Sequence, residues 1–399
     1  MTITDLPREL ECEILSRVPP TSLHKFRSTC RRWYALFKNP RFIEKNLGKA
    51  KRQFILKKDF SVYSVNLNLH GINNKRFDPS IEFTGKLNSL KDSEQTMIHA
   101  IFQCEGLFLC TTKDKRIVVW NPCTGQTRWI RIQPRNDDHL AYDSYALGYG
   151  NNKNKYSCDS FKILRCRTHK NNNLGIWVME FELYYFNTDS WRLLDEDAQR
   201  NLTVSWRWMI TSHGVSLKGN TYWVAWDKKE PNDIQFLLRF DFKRERFEHF
   251  SLPFSGSGTM FLSVVREEKL AVLLDRPNFD SSREMKIWVT DTKIDEAVTD
   301  MEYVLVVDFS RVLRRGMTVV SFLVDEENER VVCSGRDTKK GNKNVIYIVG
   351  GDGNHKHSCK QILGEIAQGP ADDCWPFLDS YVPSSVQIQQ VEAANAKGD

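Results

Sequence analysis

Three small groups of residues are the chain's candidates for chemistry. His355, His357 and Cys359 bring imidazole and thiolate donors into close succession, a donor set that suits a zinc-class ion. Trp206 with Trp208, and Trp223 with Trp226, offer indole faces that grip a sugar or a peptide. Arg311, Arg314 and Arg315 offer forked donors for a phosphorylated or acidic group. Each group also has a plainer reading, which the surrounding sequence favours. The His/Cys set lies in a polar Gly/Asn/Lys stretch suited to a loop, and no CxxC pair occurs in the chain. Inner-strand tryptophans ordinarily serve packing, and arginines near a turn ordinarily meet water. HExxH, GxSxG and Walker motifs are absent, and Gly350-Gly351-Asp352-Gly353 lacks the downstream helix of a phosphate cradle, so it reads as a turn. The expectation is a chain with no catalytic residue, no metal ligand set and no cofactor.

Function then has to come from binding surfaces, and charge shows where the first one lies. The 399 residues are 41% apolar and 12% aromatic, enough for a large core. The net charge of +6 is uneven: residues 1–52 carry +7 and the remainder −1. Such a local excess fits an acidic partner for the N-terminal segment alone. Asp5, Glu9, Glu11 and Glu13 break the basic-then-apolar order of a secretory leader, and no apolar run reaches membrane-spanning length. Cys12 and Cys30 fall in helical patterns, and Cys110, Cys166 and Cys333 in strand-like apolar runs, which predicts reduced thiols. A soluble intracellular protein follows. Nucleus and cytoplasm both stay open, because Lys49-Ala-Lys-Arg52 is too short a basic run to decide between them.

The elements that would carry the N-terminal surface are short helices. Leu6, Leu10, Ile14 and Val18 recur at four-residue steps with Leu15 beside them; Asp5 can cap this helix, Pro7 suits its first turn, and Pro19-Pro20 ends it. A second helix is predicted from Thr21 or Ser22 with Leu23 and Phe26. A third, capped by Thr29, presents Trp33, Leu36 and Phe37 before Asn39-Pro40. So few residues cannot bury every apolar position, so some must await a partner.

At this point the sequence resembles the F-box family. Leu6-Pro7, Glu9-Leu10, Glu13-Ile14-Leu15, Val18-Pro19, Ser22-Leu23, Phe26-Arg27, Cys30-Arg31 and Trp33 fall at the family's spacing. The resemblance implies docking onto a Skp-family adaptor, itself acidic, and through it onto a cullin scaffold. The contacts it implies are Leu6, Pro7, Leu10, Ile14, Leu15, Val18, Pro19, Leu23, Phe26, Arg27, Cys30 and Trp33. A purely structural helical cap is the bland alternative. A helix-turn-helix DNA reader is the sharper one, but Trp33 and Leu36 lie on the apolar stripe, and no stacking aromatics alternate with Lys25, Arg27, Arg31 and Arg32. Neither nucleic acid nor membrane is an expected partner.

From about residue 54 the helical period gives way to short β-branched and aromatic runs separated by Gly, Asn, Asp and Pro, which reads as mainly β. Strand, turn and aromatic strand recur with turns near 121, 187, 241, 291 and 351. Gly106–Cys110, Gly214–Ala225 and Leu262–Leu274 are inner-strand candidates, and Gly219-Asn220 is a hairpin signal. Radial repetition protects sheet edges, so an irregular β-propeller of about six blades is expected, with a pair of β-sandwiches as second choice. A late strand around Tyr381–Ile388 is expected to pair into the first blade near Phe54–Val65.

These segments resemble the plant F-box-associated domain in its kelch-related form. The resemblance rests on the ordered set Asn121-Pro122, Ala146-Leu-Gly-Tyr149, Ser190-Trp191, Ser216-Leu-Lys-Gly-Asn-Thr-Tyr-Trp223, Phe240-Asp-Phe242, Leu262-Ser-Val-Val-Arg-Glu-Glu-Lys-Leu270 and Tyr381-Val-Pro-Ser384. Asp291–Asp300 departs from it by lacking a Ser-Trp pair, and residues 54–100 match poorly. The organisation is then an F-box at 1–47, a short linker at 48–53, a propeller-like domain at 54–388 and a disordered tail at 389–399. The implied function is the non-catalytic substrate receptor of an SCF-type ubiquitin ligase, whose β domain holds an unidentified target protein. A propeller lectin or enzyme with a helical cap, and an F-box tether outside a ligase, are the alternatives.

Overall fold

The structure, a computed structural model, describes residues 6–18, 26, 29–37, 39, 42, 52–69, 72–73, 76–77, 79–87, 96–132, 142–150, 158–171, 176–195, 209–210, 213–227, 234–252, 258–277, 283–290, 301–307, 317–327, 329–337, 343–352, 355–365 and 375–388. The tail at 389–399, Trp206, Trp208, Arg311, Arg314 and Arg315 lie outside them.

Six antiparallel sheets, each of four strand positions, form the blades of a propeller. Blade 2 shows the pattern from inner to outer strand: Ile98–Cys104, Leu107–Thr112, Ile117–Asn121 and Gln126–Ile130. Blade 3 spans 142–193, blade 4 spans 209–251, blade 5 spans 259–307 and blade 6 spans 317–365. In blade 4 the innermost position is shared by Met209–Ile210 and Val215–Leu217, both paired to Asn220–Asp227. Blade 1 takes Gln53–Lys58, Ser61–Asn68 and Ser80–Lys86 from the start of the domain and its innermost strand, Phe377–Tyr381, from the end.

Successive strand residues point to opposite faces, and each blade has a neighbour on both faces. Leu107 and Leu109 therefore pack toward blades 3 and 4, while Phe108 and Cys110 pack toward blade 1. Ile55 faces blade 2 and Leu56 faces blade 6. Burial on both sides makes these strands continuous apolar runs, the form in which the sequence shows them. The apolar clusters fill every seam of the ring: blade 1 with 2, 2 with 3 and 4, 4 with 5, 5 with 6, and 6 with 1.

The recurring turns near 121, 187 and 241 join the third and fourth strands of blades 2, 3 and 4. Each ends on a left-handed residue: Gly125 (φ 72°), Asp189 (φ 50°) and Glu245 (φ 52°). The two carboxylates at that position receive cations from the preceding blade. Asp189 accepts Arg128 Nη2 at 2.9 Å, and Glu245 accepts Lys162 Nζ at 2.5 Å and Tyr185 Oη at 2.8 Å. In blade 2 the same turn serves ring closure instead. Asn121 Nδ2 donates to the carbonyls of Ser384 (3.0 Å) and Val386 (2.8 Å), and its Oδ1 accepts the amides of Cys123 and Thr124.

Several expectations need correction. The closing strand is Phe377–Tyr381, while 382–388 crosses blades 2 and 3 as a strap, with Ile388 N bonded to Gln126 Oε1 and the Gln387 carbonyl accepting Cys158 N. Gly106–Cys110 supplies the second strand of blade 2, one place out from the innermost strand Ile98–Cys104. The blade 4 hairpin turns on Lys218-Gly219, both at positive φ (50° and 79°), and Asn220 is already paired. His355, His357 and Cys359 do not sit in a loop: the ladder to Asp352–Lys343 holds them in the strand His355–Glu365, and Gly350–Asp352 extends the facing strand. Gln53 is paired to Tyr381, so the strand begins within the stretch expected as linker.

Candidate functional site

Two helices of the N-terminal unit are described: α1 (Arg8–Ser16) and α2 (Arg31–Leu36). The second expected helix falls mainly outside the described residues, as do Pro19, Leu23 and Arg27; Phe26 is helical. Pro7 stands at the N-cap of α1 rather than inside its first turn, and its carbonyl accepts the Glu11 amide at 3.0 Å. Cys30 replaces Thr29 as the cap of α2: its Sγ accepts the Trp33 amide at 3.4 Å.

The apolar positions of α1 divide into two stripes. Leu15, with Cys12 and Val18 beside it, packs inward on Trp33, Leu36, Phe37 and Phe42. Leu6, Leu10 and Ile14 face away and stay 37%, 52% and 55% exposed, and Phe26 is 37% exposed beside them in kind. Pro7 and Cys30 are also exposed. Leu15 and Trp33 are therefore covered by this chain itself, while Leu6, Leu10, Ile14 and Phe26 remain available to a partner. The inner stripe carries one acid that sequence reasoning missed. Glu11, 4% exposed, accepts Trp33 Nε1 at 2.5 Å and pairs with Arg32 at 2.6 Å, fastening α1 to α2. Its signal was position: Glu11 lies one helical turn before Leu15, on the buried side.

The ring encloses an axial cavity of about 480 Å³. The N-terminal unit enters on the face of its tight turns, where Arg52 Nη2 reaches from blade 1 to the Val264 carbonyl of blade 5 at 3.4 Å. Glu105, Glu267 and Asp379 line the cavity with Arg52. Burial raises the pKa of Glu267, and burial carries Asp379 up to about 6 against the opposing effects of the Ser380 amide and Arg52. His213, also lining, is lowered to about 4 by burial and by Lys57, so it is neutral. Because folding raises the Asp379 pKa, the folded chain holds that proton more tightly, and the stabilisation present below the usual carboxylate range is lost as pH rises through about 6. Asp379→Asn is expected to raise Tm above about pH 7 and leave it unchanged near about pH 4, read by calorimetry at both values.

Trp223 is a packing residue: it is 4% exposed, and a Cβ on Gly214 would lie 2.3 Å from its Nε1. Burial raises the thiol pKa of Cys110 and of Cys166 to about 12, so neither is a nucleophile near neutrality. Among the described residues no three His, Cys, Asp or Glu side chains converge as a metal site, and no helix is long and apolar enough to cross a membrane.

A helical unit with an uncovered apolar stripe, joined to a closed ring of six blades, defines a two-module β-propeller protein. The chain belongs to the F-box proteins of plant kelch-repeat type: residues 53–388 match the family described as "F-box associated beta propeller domain" and residues 3–45 match the F-box domain. A putative F-box/kelch-repeat protein of Arabidopsis thaliana is 48% identical, covering 98% of this chain and 94% of its own length. A second F-box/kelch-repeat protein of that plant is 48% identical, covering 98% and 96%. Among solved structures, TolB from Acinetobacter baumannii aligns with a TM-score of 0.38 at 13% identity, over 81% of this chain and 68% of that one. The fold assignment rests on this chain's own strand ladders and not on that likeness.

Proposed function

We propose that this chain is the substrate-recognition subunit of an SCF-type ubiquitin ligase, with the F-box docked on a Skp-family adaptor and the propeller holding a target protein. The observation that carries the reading is the outward stripe Leu6, Leu10 and Ile14 with Phe26, apolar surface that a charged module of this size does not leave in water without a partner. The +7 charge of residues 1–52 adds attraction to an acidic adaptor.

Geometry separates the two tasks. The first blade strand starts at Gln53 on the tight-turn face, whereas the outer strands of blades 2 and 3 end, at Ile130 and Leu193, on the opposite face. A target held there stands across the ring from the adaptor linkage. The chain's contribution is proximity rather than bond-making. Thiols that form no disulfide among the described residues, Cys104, Cys110 and Cys166 among them, support an intracellular setting.

The test is co-expression of the full chain with a plant Skp-family adaptor and size-exclusion chromatography of the pair. Comigration that persists through the column is the expected result. Separate elution of two folded proteins overturns the reading.

A further inference from the structure

On the face opposite the N-terminal linkage, three connections of blades 1 and 2 are tied together by backbone. The Phe60 carbonyl accepts Ile98 N at 2.9 Å, and the Met97 carbonyl accepts Lys113 N at 2.9 Å. The result is a continuous platform of two chemistries. Its apolar part is Met97 (38% exposed) with the half-buried Phe60 and Trp129, the last packed on its inner side against the seam of blades 1 and 2; its cations stand over the rings, with Lys113 Nζ 5.3 Å from the centre of Phe60 and the Arg116 guanidinium 4.5 Å from that of Trp129. Lys58 pairs with Asp59, the neighbour of Phe60, and Lys115 belongs to the same blade 2 turn as Lys113 and Arg116.

Phe60 is an unexpected residue for its place. The two-residue turn Asp59-Phe60 has φ of 50° and 57°, a left-handed pair that ordinarily takes Asn-Gly, and a bulky side chain there is strained. The Phe60 ring is not part of the apolar cluster that fills the seam of blades 1 and 2.

Charge selects the occupant. Residues beyond 52 sum to −1, yet this platform carries four cations, Lys58, Lys113, Lys115 and Arg116, against two acids, Asp59 and Asp114. Each acid is engaged inside the platform, Asp59 by Lys58 at 2.7 Å and Asp114 by Arg116 at 2.5 Å. Carboxylates set among the cations argue against a polyphosphate backbone, which needs an unbroken basic track. They are compatible with a short peptide that places one or two carboxylates beside an aromatic ring. We propose that the platform of Phe60, Met97, Lys113, Arg116 and Trp129 is the docking surface for an acidic target segment bearing an aromatic side chain. This rests on the target-receptor reading above and adds the chemistry of what is held.

The probe is a fluorescein-labelled peptide, Gly-Glu-Glu-Phe-Glu-Glu-Gly, titrated by anisotropy into the full chain purified with its adaptor; Gly-Lys-Lys-Phe-Lys-Lys-Gly and a uridine oligonucleotide are the comparison probes. The acidic peptide is expected to bind, the basic one at least about tenfold more weakly, and Lys113→Glu with Arg116→Glu to reverse that order. Phe60→Gly is expected to weaken the acidic probe about tenfold while raising Tm, because glycine relieves the left-handed turn. A Tm lowered by Phe60→Gly makes the ring structural and overturns the proposal. So does equal binding of both peptides, or preference for the oligonucleotide. Adaptor retention, read on the same samples, is independent of these outcomes: its loss in the wild type strikes the ligase reading, whereas its retention with indifferent peptide binding strikes only the platform.

Discussion

Leu10→Asp combined with Ile14→Asp is expected to abolish retention of the proposed Skp-family adaptor while the propeller and the F-box core stay folded. Both side chains are more than half exposed in this chain, so neither substitution opens a cavity in it. Covering a Leu or Ile side chain contributes about 1.5–3 kcal/mol, and a buried carboxylate adds a desolvation cost, so affinity falls by roughly a thousandfold or more. Calorimetric titration measures the loss, and an unchanged Tm shows that it is not unfolding. Trp33→Asp is the instructive contrast. Trp33 is 8% exposed, bonded to Glu11 and packed on Phe37 with ring centres 6.4 Å apart, so this variant loses the adaptor by melting the helices. Retention by the Leu10/Ile14 variant at wild-type strength would remove the docking stripe from the account.

A chain ending before Phe377 does not form a cooperative ring. The missing strand pairs along Gln53–Lys57, and the lost segment includes Leu378, Tyr381, Val386 and Ile388, all at most 4% exposed. At about 1.5–3 kcal/mol each, their burial rivals the whole net stability of about 5–15 kcal/mol of an ordinary domain. Asn121→Ala tests the same closure gently. It strips two strap carbonyls and two turn amides of a side chain that is wholly buried, and costs about 2–4 kcal/mol. Thermal unfolding and limited proteolysis check both. A truncated chain that melts in one sharp transition at the wild-type Tm would show that the strap is ornamental.

Much of this architecture was legible in the sequence because the blades repeat one turn. Asn121–Gln126, Tyr185–Ser190 and Asp241–Arg246 announce themselves by spacing and by the aromatic strands on either side. The first blade was legible only in part: its closure by a late strand was read from the sequence, but the bounds of that strand and the outer half of the blade were not. The strand comes from the far end of the domain and is Phe377–Tyr381, ahead of the stretch expected, and the small hairpin Ile72–Asn73 and Arg76–Phe77 falls between the third and fourth strands, where blades 2, 3 and 4 have a tight turn. Four-residue spacing showed that α1 is amphipathic, but it did not show that two stripes point different ways. That required the partner helix, because Trp33 and Phe37 decide which stripe is inward. The His/Cys stretch misled because polar composition reads as loop, whereas its pairing to Lys343–Asp352 makes it an outer strand.

Fastening the last strand to the first has a consequence for biosynthesis. Blades 2 to 6 draw every strand from contiguous sequence, so each has its partners as soon as it is made. Blade 1 does not: the edge of Gln53–Lys57 stays unpaired until Phe377–Tyr381 has been translated. An open strand edge of that kind is a template for wrong pairing, and it persists for nearly the whole of translation. The F-box module, matched within residues 3–45, has no such wait: all of its sequence has been translated long before the ring is able to close.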